Sequence, residues 1–154
     1  MRLECRCCLV TENKMNFLTL PPLPHTIALW SGGGFNISFL KDIDWLVPLT
    51  FYYWGDLDAQ GFQILHQFRS YYPYTCALMM DMQTWNAFKQ FAKDGTPAPL
   101  QNLPNLSADE YDLYRLLQQG NLRLEQEKIQ QSYAYEQITH LPVFFGDAKR
   151  KDSE

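Results

Sequence analysis

The sequence predicts an α/β fold: a four-stranded parallel sheet flanked by helices, with a helical extension at its C-terminal end. Three observations point there. Short apolar segments at residues 5–11, 26–30, 49–54 and 75–80 alternate with longer stretches patterned for helices. Gly and Pro punctuate the joins, at Pro21-Pro22-Leu23-Pro24, Gly32-Gly33-Gly34, Pro48 and Pro73. The 154 residues are 46% hydrophobic and 19% charged, which suits one packed core rather than a disordered chain.

The first strand, 5–11, ends at Glu12-Asn13-Lys14, and residues 15–20 fit one or two helical turns before the prolines. The second, 26–30, closes on the three glycines. Phe35, Ile37, Phe39, Leu40, Ile43 and Leu46 then predict a helix that Pro48 ends. The third strand, 49–54, feeds a helix over 59–71 with Phe62, Ile64, Leu65 and Phe68 as its apolar set. The fourth, 75–80, stops at Asp81, and Trp85, Phe88 and Phe91 line a helix over 82–92. Beyond a proline-rich loop at 95–105, Ser107 and Glu110 have the spacing of a capping box. Their helix runs to about Gln119 and closes at Gly120-Asn121, and residues 122–131 predict another. Together these give a core at 5–94 and a helical extension at 106–135, one domain over 5–135. The polar residues 146–154 are expected to form a disordered tail.

Composition excludes several classes. No apolar run reaches the length of a membrane span, and Met1-Arg2-Leu3-Glu4 is too charged to open a signal peptide, so a cytoplasmic protein is expected. The net charge of −4 argues against a broad duplex-gripping surface, although carboxylates that ligate a metal count as negative until the ion arrives. Cys5, Cys7, Cys8 and Cys76 lack zinc-knuckle spacing and, lying on predicted strands, are expected to be buried free thiols. Gly32-Gly33-Gly34 opens a helix but matches neither the Walker nor the dinucleotide pattern, so a flexible turn is expected there.

The chemistry concentrates at Gly55-Asp56-Leu57-Asp58. At a strand end, residues two apart point the same way, so Asp56 and Asp58 present paired hard oxygen ligands. Such a pair suits Mg²⁺, which takes one or two carboxylates and keeps waters for phosphate. The competing role is plain: Asp58 stands where the following helix needs an N-cap.

Three segments carry a resemblance. Thr11-Glu12-Asn13-Lys14, then Tyr53-Trp54-Gly55-Asp56-Leu57-Asp58-Ala59-Gln60-Gly61-Phe62, then Leu122-Arg123-Leu124-Glu125-Gln126-Glu127-Lys128-Ile129 follow in that order. The acid after strand one and the Asp-x-Asp after strand three resemble the TOPRIM domain of topoisomerases, primases and nucleases. More closely, the chain is similar to the C-terminal domain of the JetD family, nuclease subunits of Wadjet anti-plasmid systems related to the topoisomerase VI A subunit. The resemblance implies a metal-dependent endonuclease acting on plasmid DNA. It implies Glu12, Asp56 and Asp58 as catalytic and metal-binding residues, and Mg²⁺, or Mn²⁺, as cofactor. Asp81, Glu125 and Lys14 are additional candidates, Lys14 for phosphate. Asp81 has helix capping as its rival role, and Glu125 with Glu127 has that of a solvated helix face.

The resemblance also implies condensin-like partner subunits and a homodimer of a longer protein. That protein's N-terminal winged-helix-like domains are not expected in these residues, so the chain alone is expected to cleave DNA weakly or not at all. Two other functions compete: a DNA-binding or assembly module with an idle acidic site, and an acyl-phosphate acceptor. The latter normally needs an acidic pair after strand one, where this chain has the single Glu12.

Overall fold

In the computed structural model, residues 4–32 and 36–142 are described. The sheet is the expected one: four parallel strands in the order β2-β1-β3-β4, with β1 at Cys7–Thr11, β2 at Thr26–Trp30, β3 at Thr50–Trp54 and β4 at Cys76–Ala77. β1 is buried along its whole length and β3 along all but its first residue. Strands covered on both faces need continuous apolar runs, which is why these two stood out in the sequence. β2, at the edge, is only half-buried.

Helix α1 (Lys14–Leu18) follows β1, α2 (Ala59–Tyr71) follows β3 and α3 (Met82–Phe88) follows β4. α2 buries Phe62, Leu65 and Phe68 against the sheet, where Phe68 meets Phe51 edge-on at 5.4 Å and Phe51 stacks on Tyr72 at 4.0 Å. α4 (Ala108–Gly120) packs on α2 and starts with the capping box foreseen at Ser107 and Glu110. It ends where Asn121 turns left-handed at φ 48°. Arg69 of α2 grips Glu110 with both arms of its guanidinium, at 2.6 and 3.1 Å, and donates to the carbonyls of Thr75 and Asn105. That pair ties the C-terminal extension to the core.

Five expectations need correction. The helix drawn through residues 35–46 is two 3₁₀ segments, Asn36–Asp42 and Asp44–Leu46. Ile37, Leu40, Ile43 and Leu46 recur every third residue, which is the 3₁₀ period. The helix over 82–92 tightens to a 3₁₀ turn at Lys89–Phe91, and the fourth strand pairs over two residues only. Its path turns at Met79, which takes φ 53°. Residues 122–130 form no α-helix. They hold β6 (Leu122–Arg123), antiparallel to β5 (Lys93–Asp94), then a 3₁₀ turn at Gln126–Lys128, and α5 (Gln131–Thr139) begins only afterwards. Leu124 and Gln126 are buried while Glu127 is exposed, an alternation of period two. Finally, Cys7 and Cys8 are buried as expected, but Cys5 is half-buried ahead of β1 and Cys76 is exposed on the short edge strand. The expectations for Gly33, Gly34, Phe35 and the tail at 146–154 lie outside the described residues.

Candidate active site

The carboxyl ends of β1 and β3 lie side by side, with Thr11 opposite Trp54. The chain leaves β1 for β2 on one side and returns to β3 on the other. This is the switch point of the sheet, where open α/β folds place their binding crevice. Glu12 emerges from one strand and Gly55-Asp56-Leu57-Asp58 from the other.

Local packing fixes Glu12. Its backbone carbonyl accepts from the Trp30 indole at 2.9 Å. Its carboxylate accepts a hydrogen bond from the phenol of Tyr53, a fully buried side chain. Gly55 makes room for that pair, since a Cβ there would meet the Tyr53 Oη at 2.8 Å and Glu12 Oε1 at 3.0 Å. Burial pushes the Glu12 carboxyl up to about 7; the Asp56 and Asp58 charges add to the rise, while Tyr53 and Arg123 oppose it. The same three carboxylates, with burial foremost, hold the Tyr53 phenol well above its ordinary value, so it stays a donor.

The two aspartates face one way, as their spacing predicts, because the residue between them is clamped. Leu57 is fully buried and pairs with Leu124 through both backbone hydrogen bonds, at 2.9 and 3.0 Å. The neighbours on each side, Asp56 and Asp58 on one strand and Arg123 and Glu125 on the other, therefore share a face. Arg123 Nη2 donates to Asp56 Oδ2 at 2.9 Å, and its Nε lies 3.4 Å from Asp58 Oδ2. Asp56 Oδ1 accepts from the backbone of Gln126 at 2.9 Å. Asp58 also caps α2, taking the Gly61 N–H at 2.7 Å, so its two sequence roles coexist. Burial raises the Asp58 carboxyl above its ordinary value, against that cap bond.

Gly61 closes the turn. A Cβ there would stand 2.1 Å from the Asp56 carbonyl oxygen. Gly61→Ala is expected to cost about 1–3 kcal/mol of stability through that overlap. Urea denaturation reads the loss, and an unchanged midpoint would show that the strand-to-helix turn can yield.

Gln126 joins the parts. Fully buried, its side chain accepts from the Asn13 N–H at 2.8 Å and donates to the Trp54 carbonyl at 2.7 Å. It thus links the β1 loop, the end of β3 and the segment after β6. The remaining candidates fall elsewhere in part. Glu125 joins the cluster, close to Arg123 and paired with Lys93. Glu127 is exposed and accepts from the Asn13 side chain at 3.5 Å, and the segment that carries both is not the solvated helix face expected. Lys14 sets its ammonium 5.6 Å from the Trp30 ring centroid. Asp81 caps α3 through the Thr84 N–H at 2.8 Å. Sequence reasoning passed over Tyr53, Arg123 and Gln126. The alternation from Leu122 to Glu127 was the signal that could have placed the last two on a strand beside Asp56 and Asp58.

Three carboxylates at one sheet edge are the right donors for a hard cation. Among the described residues, however, no three Asp, Glu, His or Cys side chains lie together closely enough to hold a metal as they stand. The cation that faces Asp56 and Asp58 is the Arg123 guanidinium. The donor chemistry fits a divalent ion, and an ion on both aspartates would occupy the place that Arg123 takes.

This is a Rossmann-like α/β protein, consistent with a TOPRIM fold, carrying an acidic cluster at its switch point. It belongs to the JetD C-terminal family: the family model for Wadjet protein JetD, C-terminal, matches residues 1–138. The chain is accordingly of the kind found in Wadjet anti-plasmid systems. No curated protein matches it. No helix among the described residues is long and apolar enough to cross a membrane.

Proposed function

We propose that this chain is the nuclease domain of a Wadjet-type system, hydrolysing phosphodiester bonds of plasmid DNA with Mg²⁺, or Mn²⁺, as cofactor. The observation that carries the reading is the turning of Asp56 and Asp58 toward one cation, with the Glu12 carboxyl close enough to feel both charges. The bound ion would neutralise charge developing on the phosphate and assist ionisation of the attacking water. Asp56 and Asp58 hold the cation side of the site. Glu12, with its carboxyl raised to about 7, is suited to accept and return a proton near neutral pH. Tyr53 orients that carboxyl. DNA is the substrate, condensin-like subunits are the partners, and a homodimer is the assembly. A second reading, an assembly module whose acidic site is idle, draws its support from the hold of Arg123 on both aspartates.

Calorimetric titration of Mg²⁺ and Mn²⁺ into the wild type and into Asp56→Asn/Asp58→Asn tests the metal. Binding is expected in the first and at least tenfold weaker binding in the second; equal affinities would remove the site. Nicking of supercoiled plasmid with Mn²⁺ tests the reaction. Whatever its absolute rate, nicking is expected to fall on the order of a hundredfold or more in Asp56→Ala, the scale seen when one element of transition-state stabilisation is lost. Metal binding without any Asp56-dependent nicking, in this chain and in a longer family protein alike, would favour the idle module.

A further inference from the structure

Resting on the reading of Glu12, Asp56 and Asp58 as a divalent-cation site, we propose that Arg123 is the resident counter-ion of that site, straddling Asp56 and Asp58 and competing with the metal for them. The chain contains a useful internal contrast. Arg69 holds Glu110 in a two-armed grip at 2.6 and 3.1 Å, and its remaining donors reach two backbone carbonyls. That is how an arginine is built into a structure permanently. Arg123 is held differently. It divides its guanidinium between two carboxylates, one at 2.9 Å and one at 3.4 Å, and its buried Nε has no hydrogen-bond partner. The second contact is Coulombic without an aligned hydrogen bond. Such a cation neutralises the two aspartates without satisfying its own donors, so it can be exchanged for an ion that serves both carboxylates better.

The backbone makes the exchange local. Arg123 stands on a β6 residue fixed by pairing with Lys93, and the Leu57–Leu124 bridge sets its side chain on the face of Asp56 and Asp58. Glu125 is on that same face, next but one along the chain, and within electrostatic reach of Arg123. A displaced guanidinium therefore has a carboxylate on its own face to move toward, one that it would share with Lys93. A divalent ion and a guanidinium a few ångströms apart repel strongly in a partly buried site. Metal affinity must then include the work of moving Arg123.

The test is Mn²⁺ titration of the full chain as wild type, Arg123→Gln and Asp56→Asn/Asp58→Asn, with thermal melting in EDTA alongside. Arg123→Gln removes the charge and keeps a polar side chain. It is expected to bind Mn²⁺ at least tenfold more tightly than the wild type, while its metal-free form melts at a lower temperature. Affinity that is unchanged or weaker overturns the proposal. If Arg123→Gln fails to fold, the wild type answers alone: the Arg123 ¹⁵Nε resonance is expected to move with the same midpoint as Mg²⁺ binding, and a resonance that stays put as Mg²⁺ binds overturns the proposal. The double aspartate variant separates the two readings. Binding that ignores Asp56 and Asp58 removes the metal site itself. Binding that needs them, yet gains nothing from Arg123→Gln, removes only the role of Arg123.

Discussion

Gln126→Leu is expected to destabilise the fold by about 1–3 kcal/mol, chiefly the cost of stranding the Asn13 N–H, since the Trp54 carbonyl keeps the Glu12 N–H as a second donor at 3.4 Å. The size follows from where Gln126 sits. It has no exposed surface, and its amide satisfies the Asn13 N–H at 2.8 Å and the Trp54 carbonyl at 2.7 Å. Leu has nearly the same volume, so packing survives and the polar loss is read almost alone. The Asn13 N–H and the Trp54 carbonyl adjoin Glu12 and Asp56, so local disorder should centre there and not on α4 or α5. Urea denaturation supplies the free energy, and amide exchange at Asn13 and Leu57 locates it. Glu127→Gln, an exposed neighbour, is the control and is expected to change stability by no more than about 0.5 kcal/mol. A Gln126→Leu loss below about 1 kcal/mol would mean that the Asn13 N–H finds another partner, and that Gln126 does not hold the site together.

Much of the site was legible from the chain, for identifiable reasons. β1 and β3 are buried on both faces, so their sequences are unbroken apolar runs. Asp56 and Asp58 follow such a run at a spacing that fixes their common direction. The capping box at Ser107 and Glu110 is a local rule satisfied within one turn. What escaped depends on contacts distant in sequence. Residues 122–128 carry enough long polar side chains to resemble a solvated helix. Only pairing with Leu57, some sixty-seven positions earlier, draws out their alternation and brings Arg123 to the aspartates. Tyr53 reads as one more apolar strand residue until Gly55 and Glu12 give its hydroxyl a partner. Residues 36–46 show the converse, a period of three misread as 3.6 over too few turns to tell them apart.

Glu12→Gln should abolish a pH dependence of stability that the metal-free wild type displays between about pH 4.5 and 7. The folded-state carboxyl stands at about 7 against an ordinary 4.5, chiefly because burial disfavours the charge. Below pH 4.5 both folded and unfolded chains carry the proton, and Glu12 exacts no electrostatic cost. Between the two values the unfolded chain has lost the proton and the folded chain keeps it. The folded state binds more protons there, so stability falls as pH rises. Above 7 the folded chain must hold a buried carboxylate beside Asp56 and Asp58, and the full loss, roughly 3 kcal/mol, has been incurred. Gln preserves an acceptor for the Tyr53 hydroxyl and never ionises, so the variant should be the more stable protein at pH 8 and lose its advantage toward pH 4.5. Other groups titrate in this range as well, but the difference between the two proteins at each pH isolates Glu12. Urea denaturation in EDTA from pH 4.5 to 8 supplies that difference, and parallel curves for the two proteins would falsify the burial argument. A divalent ion reverses the balance: it favours the charged carboxylate, so added Mg²⁺ should stabilise the wild type more at pH 8 than at pH 5. In Glu12→Gln that pH-dependent part of the gain should be largely lost.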